Sequence, residues 1–149
     1  TGVRTFEAAA FLRRCGADIT RVRKMFRDDM DSYRAKAEAV RMAEVYRKEF
    51  AIAECPSDVE SPTVLAAQAA NELLDISGIK ASFVLTIYEG KIYMSARSID
   101  EVNVQIVAEK LGGGGHINAA GAQFDHTDME EAIKALKQTI DKMIEEGDI

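Results

Sequence analysis

Residues 111–121 read LGGGGHINAAG: four consecutive glycines, Gly112 to Gly115, run straight into His116, one of only two histidines in 149 residues. Glycine gives up more backbone freedom on folding than any other residue, so such a run needs a reason. Three readings are open. One glycine after Leu111 would suffice as a helix stop. A flexible linker would suit four glycines, but linkers usually carry serine and polar residues, and these flanks are apolar. The third reading is chemical. Successive glycine N–H groups can form a concavity for a phosphate oxygen, with no Cβ in the way and an imidazole at the rim. The run is not a Walker A loop, because GGGGH lacks the GK[ST] ending. It is not a dinucleotide fingerprint either, because it follows a helix instead of opening one after a strand.

A second group of candidates lies upstream. In KIYMSARS (91–98) strand alternation turns Tyr93, Ser95 and Arg97 one way and Ile92, Met94 and Ala96 the other. The planar fork of Arg97 matches phosphate geometry, and Ser95 and Ser98 offer hydroxyls. An exposed sheet face with an ordinary arginine is the plain alternative.

These residues must be positioned by the elements around them. TFEAAAFLRRCG reads as a helix with Thr5 as N-cap and Gly16 as stop. From Asp18 to Glu49 the apolar residues recur at three- to five-residue steps without glycine or proline, which predicts one or two amphipathic helices. The Asp28-Asp29-Asp31 cluster reads as a solvated helix face or a helix junction. FAIAEC (50–55) predicts a strand. Ser61-Pro62 opens an alanine-rich helix. SFVLTIYEGKIYMSARS predicts a hairpin turning at Glu89-Gly90. VNVQIVAEKL is a short helix ending at the glycines, and AGAQF a brief strand. Thr127 and Glu130 suggest a capping box for a last helix whose apolar stripe runs from Met129 to Ile144. The order β-α-β-β-α-β-α from about residue 49 predicts an α/β domain: a small mixed sheet of four to five strands with flanking helices, preceded by a helical segment.

Composition narrows the class. Hydrophobic residues make up 47% and charged residues 30%, a globular profile. No apolar run approaches membrane-spanning length, and no signal peptide is visible. Cys15 and Cys55 read as free thiols in a reducing compartment, and with two histidines there is no Cys/His zinc constellation. The net charge of −6 argues against long nucleic acid, which wants a basic face, but leaves room for a small anion held by local donors. His126 reads as a surface residue.

LGGGGHINAAG resembles the G-G-G-H-x-x-A-A-G motif of the DHHA1 domain of DHH-family phosphoesterases, and the SARS stretch resembles the arginine-bearing strand of that domain. The resemblance spans roughly residues 49–146. The wording of TGVRTFEAAAFLRRCGAD and NVQIVAEKLGGGGHINAAGAQF is similar to the GdpP (YybT) type, which hydrolyses cyclic di-AMP to the linear dinucleotide. It implies a substrate-binding loop of Gly113, Gly114, Gly115 and His116. Arg97 would contact phosphate or nucleotide, with Ser95 and Ser98 as weaker candidates. Ala119, Ala120 and Gly121 would allow tight packing. It also implies that residues 1–30 are the helical tail of a DHH domain, 31–48 a connecting helix and 49–149 the DHHA1 domain.

DHH enzymes hold two metal ions, usually manganese, on aspartates and histidines of the DHH domain, and this chain lacks that ligand set. The expectation is therefore a substrate-binding lobe with no catalytic residue, no metal and no cofactor of its own. Its partners would be cyclic di-AMP or a linear dinucleotide and the DHH domain of the same protein. A homodimer through helices 18–49 and 127–146 is a further reading. The parent would be membrane-anchored with this part in the cytoplasm and out of contact with the membrane. An oligoribonuclease-like lobe acting on short linear nucleotides stands as the alternative. So does an RNA-binding module like the C-terminal part of alanyl-tRNA synthetases.

Overall fold

The computed structural model describes residues 2–99 and 102–148. The chain divides into two units, residues 1–30 and 31–149. The first holds α1 (Val3–Arg14) and α2 (Ile19–Met25), the latter capped by the Asp18 carboxylate, which accepts from the Thr20 N–H. Neither helix has a buried residue, and Phe6, Phe11, Leu12, Met25 and Phe26 are exposed. Thr5 lies inside α1, whose N-cap is Gly2.

The second unit is a six-stranded mixed sheet between helices. Its elements are α3 (Met30–Arg41), β1 (Glu44–Tyr46), β2 (Phe50–Glu54), α4 (Pro62–Leu74), β3 (Ala81–Tyr88), β4 (Lys91–Ser98), α5 (Val104–Lys110), β5 (Gly114–His116), β6 (Ala119–Phe124) and α6 (Met129–Glu146). The strand order is β1-β2-β3-β4-β6-β5. Only β2 and β3 are parallel, joined by α4; the other pairs are antiparallel. A parallel pair needs such a crossover, whereas the β3–β4 hairpin closes at Glu89 (φ 50) and Gly90 (φ 75), the left-handed pair that suits a two-residue turn.

Two cores flank the sheet. On one face Phe83, Leu85, Ile92, Met94 and Ala96 pack with α5 and α6 around Val104, Val107, Leu136, Ile140 and Met143. On the other, Ala51, Ala53 and Val84 pack with Leu65, Ala66, Ala69, Ala70 and Leu73 of α4. The alanines let α4 lie close. Buried hydroxyls there are satisfied: Ser82 donates to the Ala70 carbonyl at 2.6 Å and Thr86 to the Cys55 carbonyl at 3.1 Å.

Besides the α1 cap, the fold differs from expectation at three places. The helix expected over residues 31–48 stops at Arg41, and Glu44–Tyr46 forms β1. The sheet has six strands because β1 and β5, three residues each, were too short to show a period. The α6 cap is shifted by one residue. Asp128 accepts from the Glu131 N–H, and the Thr127 hydroxyl donates to the Glu131 carboxylate.

Edge strand β1 is tied to α6 by a polar cluster. The Tyr46 hydroxyl donates to Asp141 at 2.8 Å and Arg47 Nε donates to the same carboxylate at 2.9 Å. Arg47, with Tyr46 second, holds the Asp141 carboxyl below its ordinary value. A carboxyl depressed in the folded state adds stability above the unfolded pKa and loses it on acidification. Asp141→Asn should therefore lower the melting temperature at pH 7. The gap to the unaltered chain should narrow as pH falls below about 4, the carboxylate range. Thermal melts of both proteins between pH 3 and 7 check this; a gap that stays constant contradicts it.

Candidate functional site

The four glycines have separate structural duties. Gly112 (φ 81) ends α5: its N–H goes to the Glu109 carbonyl and that of Gly113 to Ala108, the paired bonds of a Schellman stop. These two amides are spent inside the protein. They are not available to the concavity that the sequence alone suggested. At Gly113 an added Cβ would lie 2.1 Å from the Gly121 carbonyl oxygen. At Gly115 (φ 147) it would lie 2.5 Å from the Ala120 Cα. At Gly121 it would lie 2.8 Å from the Met94 oxygen. At Gly112 and Gly114 it would meet open space, although the left-handed φ of Gly112 disfavours a side chain there. The run is glycine mainly because β5 lies against β6 too closely for side chains on alternate residues.

That close pairing decides where His116 goes. Ser82 pairs with Arg97, Arg97 with Ala119, and Ala119 with His116. Directly paired residues share a sheet face, so Arg97 and His116 stand on one face with only the Ala119 methyl between them. At a strand spacing of about 4.8 Å their backbones are about 10 Å apart. The next row is Ser95–Gly121–Gly114, which carries one hydroxyl and two bare backbones. The row beyond pairs Tyr93 with Gln123, and Tyr93 makes an edge contact with Tyr88 at 6.0 Å. Helix α4 packs on β3 and β4, while Ala119 and Gln123 stay exposed. The result is a shallow platform at one end of the sheet, with a small-residue floor and an imidazole and a guanidinium on the same face.

Arg97 is half-buried and one of its amino groups donates to the Ala96 carbonyl at 2.8 Å. No carboxylate pairs with it among the described residues. A guanidinium has five N–H donors, so most remain for an anion. His116 is exposed. Edge strand β5 has a neighbour on one side only, so its outward N–H groups have no sheet partner. Of the residues singled out from sequence, Arg97, His116, Ser95 and Gly114 come together on this face. Gly113 and Gly115 lie in the same strand region but their places are packing places. Ser98 faces the other way, is 5% exposed, and donates from its hydroxyl to the Ile117 carbonyl at 3.2 Å. His126 is exposed, in a left-handed turn (φ 57) before α6.

Sequence reasoning passed over the hairpin tip. An open depression of about 630 Å³ is lined by Gln105, His116, Ile117 and Asn118. Its one sequence-level signal is a bulky isoleucine in a tight turn. Among the described residues no group of three or more His, Cys, Asp or Glu side chains could hold a metal ion.

The DHHA1 domain family matches residues 48–145. The cyclic-di-AMP phosphodiesterase PdeA of Listeria monocytogenes is 42% identical over 142 residues, covering 95% of this chain and 22% of that protein. The cyclic-di-AMP phosphodiesterase GdpP of Bacillus subtilis is 42% identical over 150 residues, covering 99% of this chain and 23% of that protein. The chain thus spans less than a quarter of either phosphodiesterase. Among solved structures, an exopolyphosphatase-related protein from Bacteroides fragilis superposes with a TM-score of 0.82 at 23% identity, over 96% of this chain and 44% of that one. That is a likeness of fold.

Single alanine substitutions separate packing from ligand contact along the glycine run. Gly113→Ala and Gly115→Ala should each destabilise by about 1–3 kcal/mol or more, the cost of overpacking, because the neighbour is backbone. Gly114→Ala should be neutral or stabilise by up to about 1 kcal/mol through the unfolded chain. Chemical denaturation of the three variants checks this; equal effects at all three positions contradict it.

Proposed function

Because the chain belongs to the DHHA1 domain family, we propose that it is the nucleotide-gripping part of a cyclic di-AMP phosphodiesterase. The observation that carries this reading is the shared row of Arg97 and His116 beside a floor of Ala119, Gly121 and Gly114. A phosphate seated there meets a forked cationic donor on one side and an imidazole on the other. Ser95 and outward amides of β5 lie within the same patch. Such charge-assisted bonds are stronger than neutral ones, and guanidinium geometry suits two oxygens at once. The similarity to two cyclic-di-AMP phosphodiesterases supports this choice of substrate class. A linear dinucleotide presents the same phosphates and is the competing ligand.

The residues present do not fit the two-manganese centre expected for this chemistry. That centre belongs to a DHH domain of the parent protein, and this chain carries out no chemical step itself. What these residues do is bind and orient. Arg97 and His116 hold the phosphate that is not being cut, which keeps the scissile one in place across the cleft. Fixing a reactant in this way can account for a large part of a rate enhancement. No helix among the described residues is long and apolar enough to cross a membrane; the reading keeps this part on the cytoplasmic side of a membrane-anchored parent.

The test is a titration of this chain with cyclic di-AMP, with and without manganese. Saturable binding and no turnover are expected. Arg97→Ala and His116→Ala should each weaken binding roughly 10- to 100-fold, the worth of a hydrogen bond to a charged group, with unchanged melting temperatures. Unchanged affinity in both variants removes the phosphate reading. Manganese-dependent hydrolysis by this chain contradicts the assignment of the metal centre elsewhere.

A further inference from the structure

We propose that Ser98 is a positioning residue: from the opposite face of β4 its hydroxyl holds the β5–β6 turn and so sets where the His116 imidazole stands relative to Arg97. The proposal rests on the phosphate reading of Arg97 and His116 and names the group that keeps the pair in place.

His116 needs an anchor outside its own strand. It is the last residue of β5, a three-residue edge strand with a neighbour on one side only. Its imidazole is exposed and has no hydrogen-bond partner among the described residues, so the backbone alone places it. The turn that follows does not fix that backbone by its own preference. His116 pairs with Ala119, so the loop has two residues, Ile117 and Asn118. Two-residue hairpins favour left-handed turns of the Asn-Gly kind. Neither Ile117 nor Asn118 is among the residues with positive φ.

Three bonds hold the turn from outside. The Ile117 carbonyl accepts from the Val104 N–H at 3.0 Å and from the Ser98 hydroxyl at 3.2 Å. The Asn118 carbonyl accepts from the Ser98 N–H at 3.2 Å. The hydroxyl bond is not needed to satisfy the turn, because the Ile117 carbonyl already has the Val104 N–H. Nor does the core ask for a hydroxyl. Ser98 is 5% exposed, and Ala96, two residues back on the same face, is fully buried with a methyl alone. What the hydroxyl adds is direction. A carbonyl has two lone pairs, and one donor leaves it free to swing about that bond. Two donors from different elements, β4 and the start of α5, fix where it points.

Chain order makes the link to the site direct. Arg97 and Ser98 are adjacent, and strand parity sends their side chains to opposite faces of β4. The guanidinium stands on the platform. The hydroxyl of the next residue, from the other face, bonds the turn that carries the imidazole. Arg97 pairs with Ala119 and Ala119 with His116, so that turn closes immediately beyond the row. If the turn tilts, the imidazole moves while the guanidinium stays with β4. A phosphate oxygen must lie about 2.7–3.2 Å from each donor, so a tilt of that kind weakens the grip.

The experiment is a double-mutant cycle read by the affinity of this chain for cyclic di-AMP. Its forms are the unaltered chain, Ser98→Ala, Ser98→Thr, His116→Ala, Arg97→Ala, and Ser98→Ala combined with each of the last two. Ser98→Ala should weaken binding about 3- to 10-fold, the range of one neutral hydrogen bond. That loss should shrink to less than about twofold once His116 is alanine, because Ser98 acts through the imidazole, and should persist in full once Arg97 is alanine. Ser98→Thr keeps the hydroxyl and should bind as the unaltered chain does. Three results overturn the positioning role and leave the phosphate reading standing, provided Arg97→Ala weakens binding. They are unchanged affinity in Ser98→Ala, the same Ser98→Ala loss with and without the imidazole, and a loss in Ser98→Thr equal to that in Ser98→Ala. Unchanged affinity in both Arg97→Ala and His116→Ala, or no binding by the unaltered chain, overturns the phosphate reading and the positioning role with it.

Discussion

The arrangement depends on how closely β5 lies on β6. Backbone of Gly121 and Ala120 occupies the space where residues 113 and 115 would carry a Cβ. The approach is possible only without side chains. It lets a three-residue strand form a sheet edge directly after a helix stop. It fixes the register that sets His116 opposite Ala119 and in line with Arg97. A glycine run that suggests a ligand-binding loop is in large part a packing device, and the imidazole and guanidinium share a sheet face because of it.

Much of the scaffold was legible in the sequence because its elements are long and periodic. The β3–β4 hairpin announced itself through Glu89-Gly90, α4 through Pro62, and α6 through its repeating apolar stripe. The alternation of β4 also held, with Ile92, Met94 and Ala96 buried and Tyr93, Ser95 and Arg97 half-buried on the other face. Strand β1 was hidden because Glu44–Tyr46 continues a helix-like spacing and its turn at Arg47 and Lys48 is left-handed without a glycine.

The site was legible only in part, for a different reason. Residue types pointed to Arg97 and His116, but their adjacency depends on two strand registers that no local pattern encodes. Ser98 was grouped with Ser95 by chemistry, while strand parity sends the two hydroxyls to opposite faces. Gln105 and Asn118 carry no motif signal. They line one depression beside a hairpin tip whose carbonyls are bonded to Ser98 and Val104. The same pairing gives those bonds their role: they hold a turn whose own residues do not favour it.

The most direct measurement is the structure of this chain bound to a linear or cyclic diadenylate. The account predicts one phosphate with oxygens about 2.7–3.2 Å from both the Arg97 guanidinium and the His116 imidazole, above Ala119 and Gly121. A phosphate bound elsewhere, with that platform left to solvent, would contradict it.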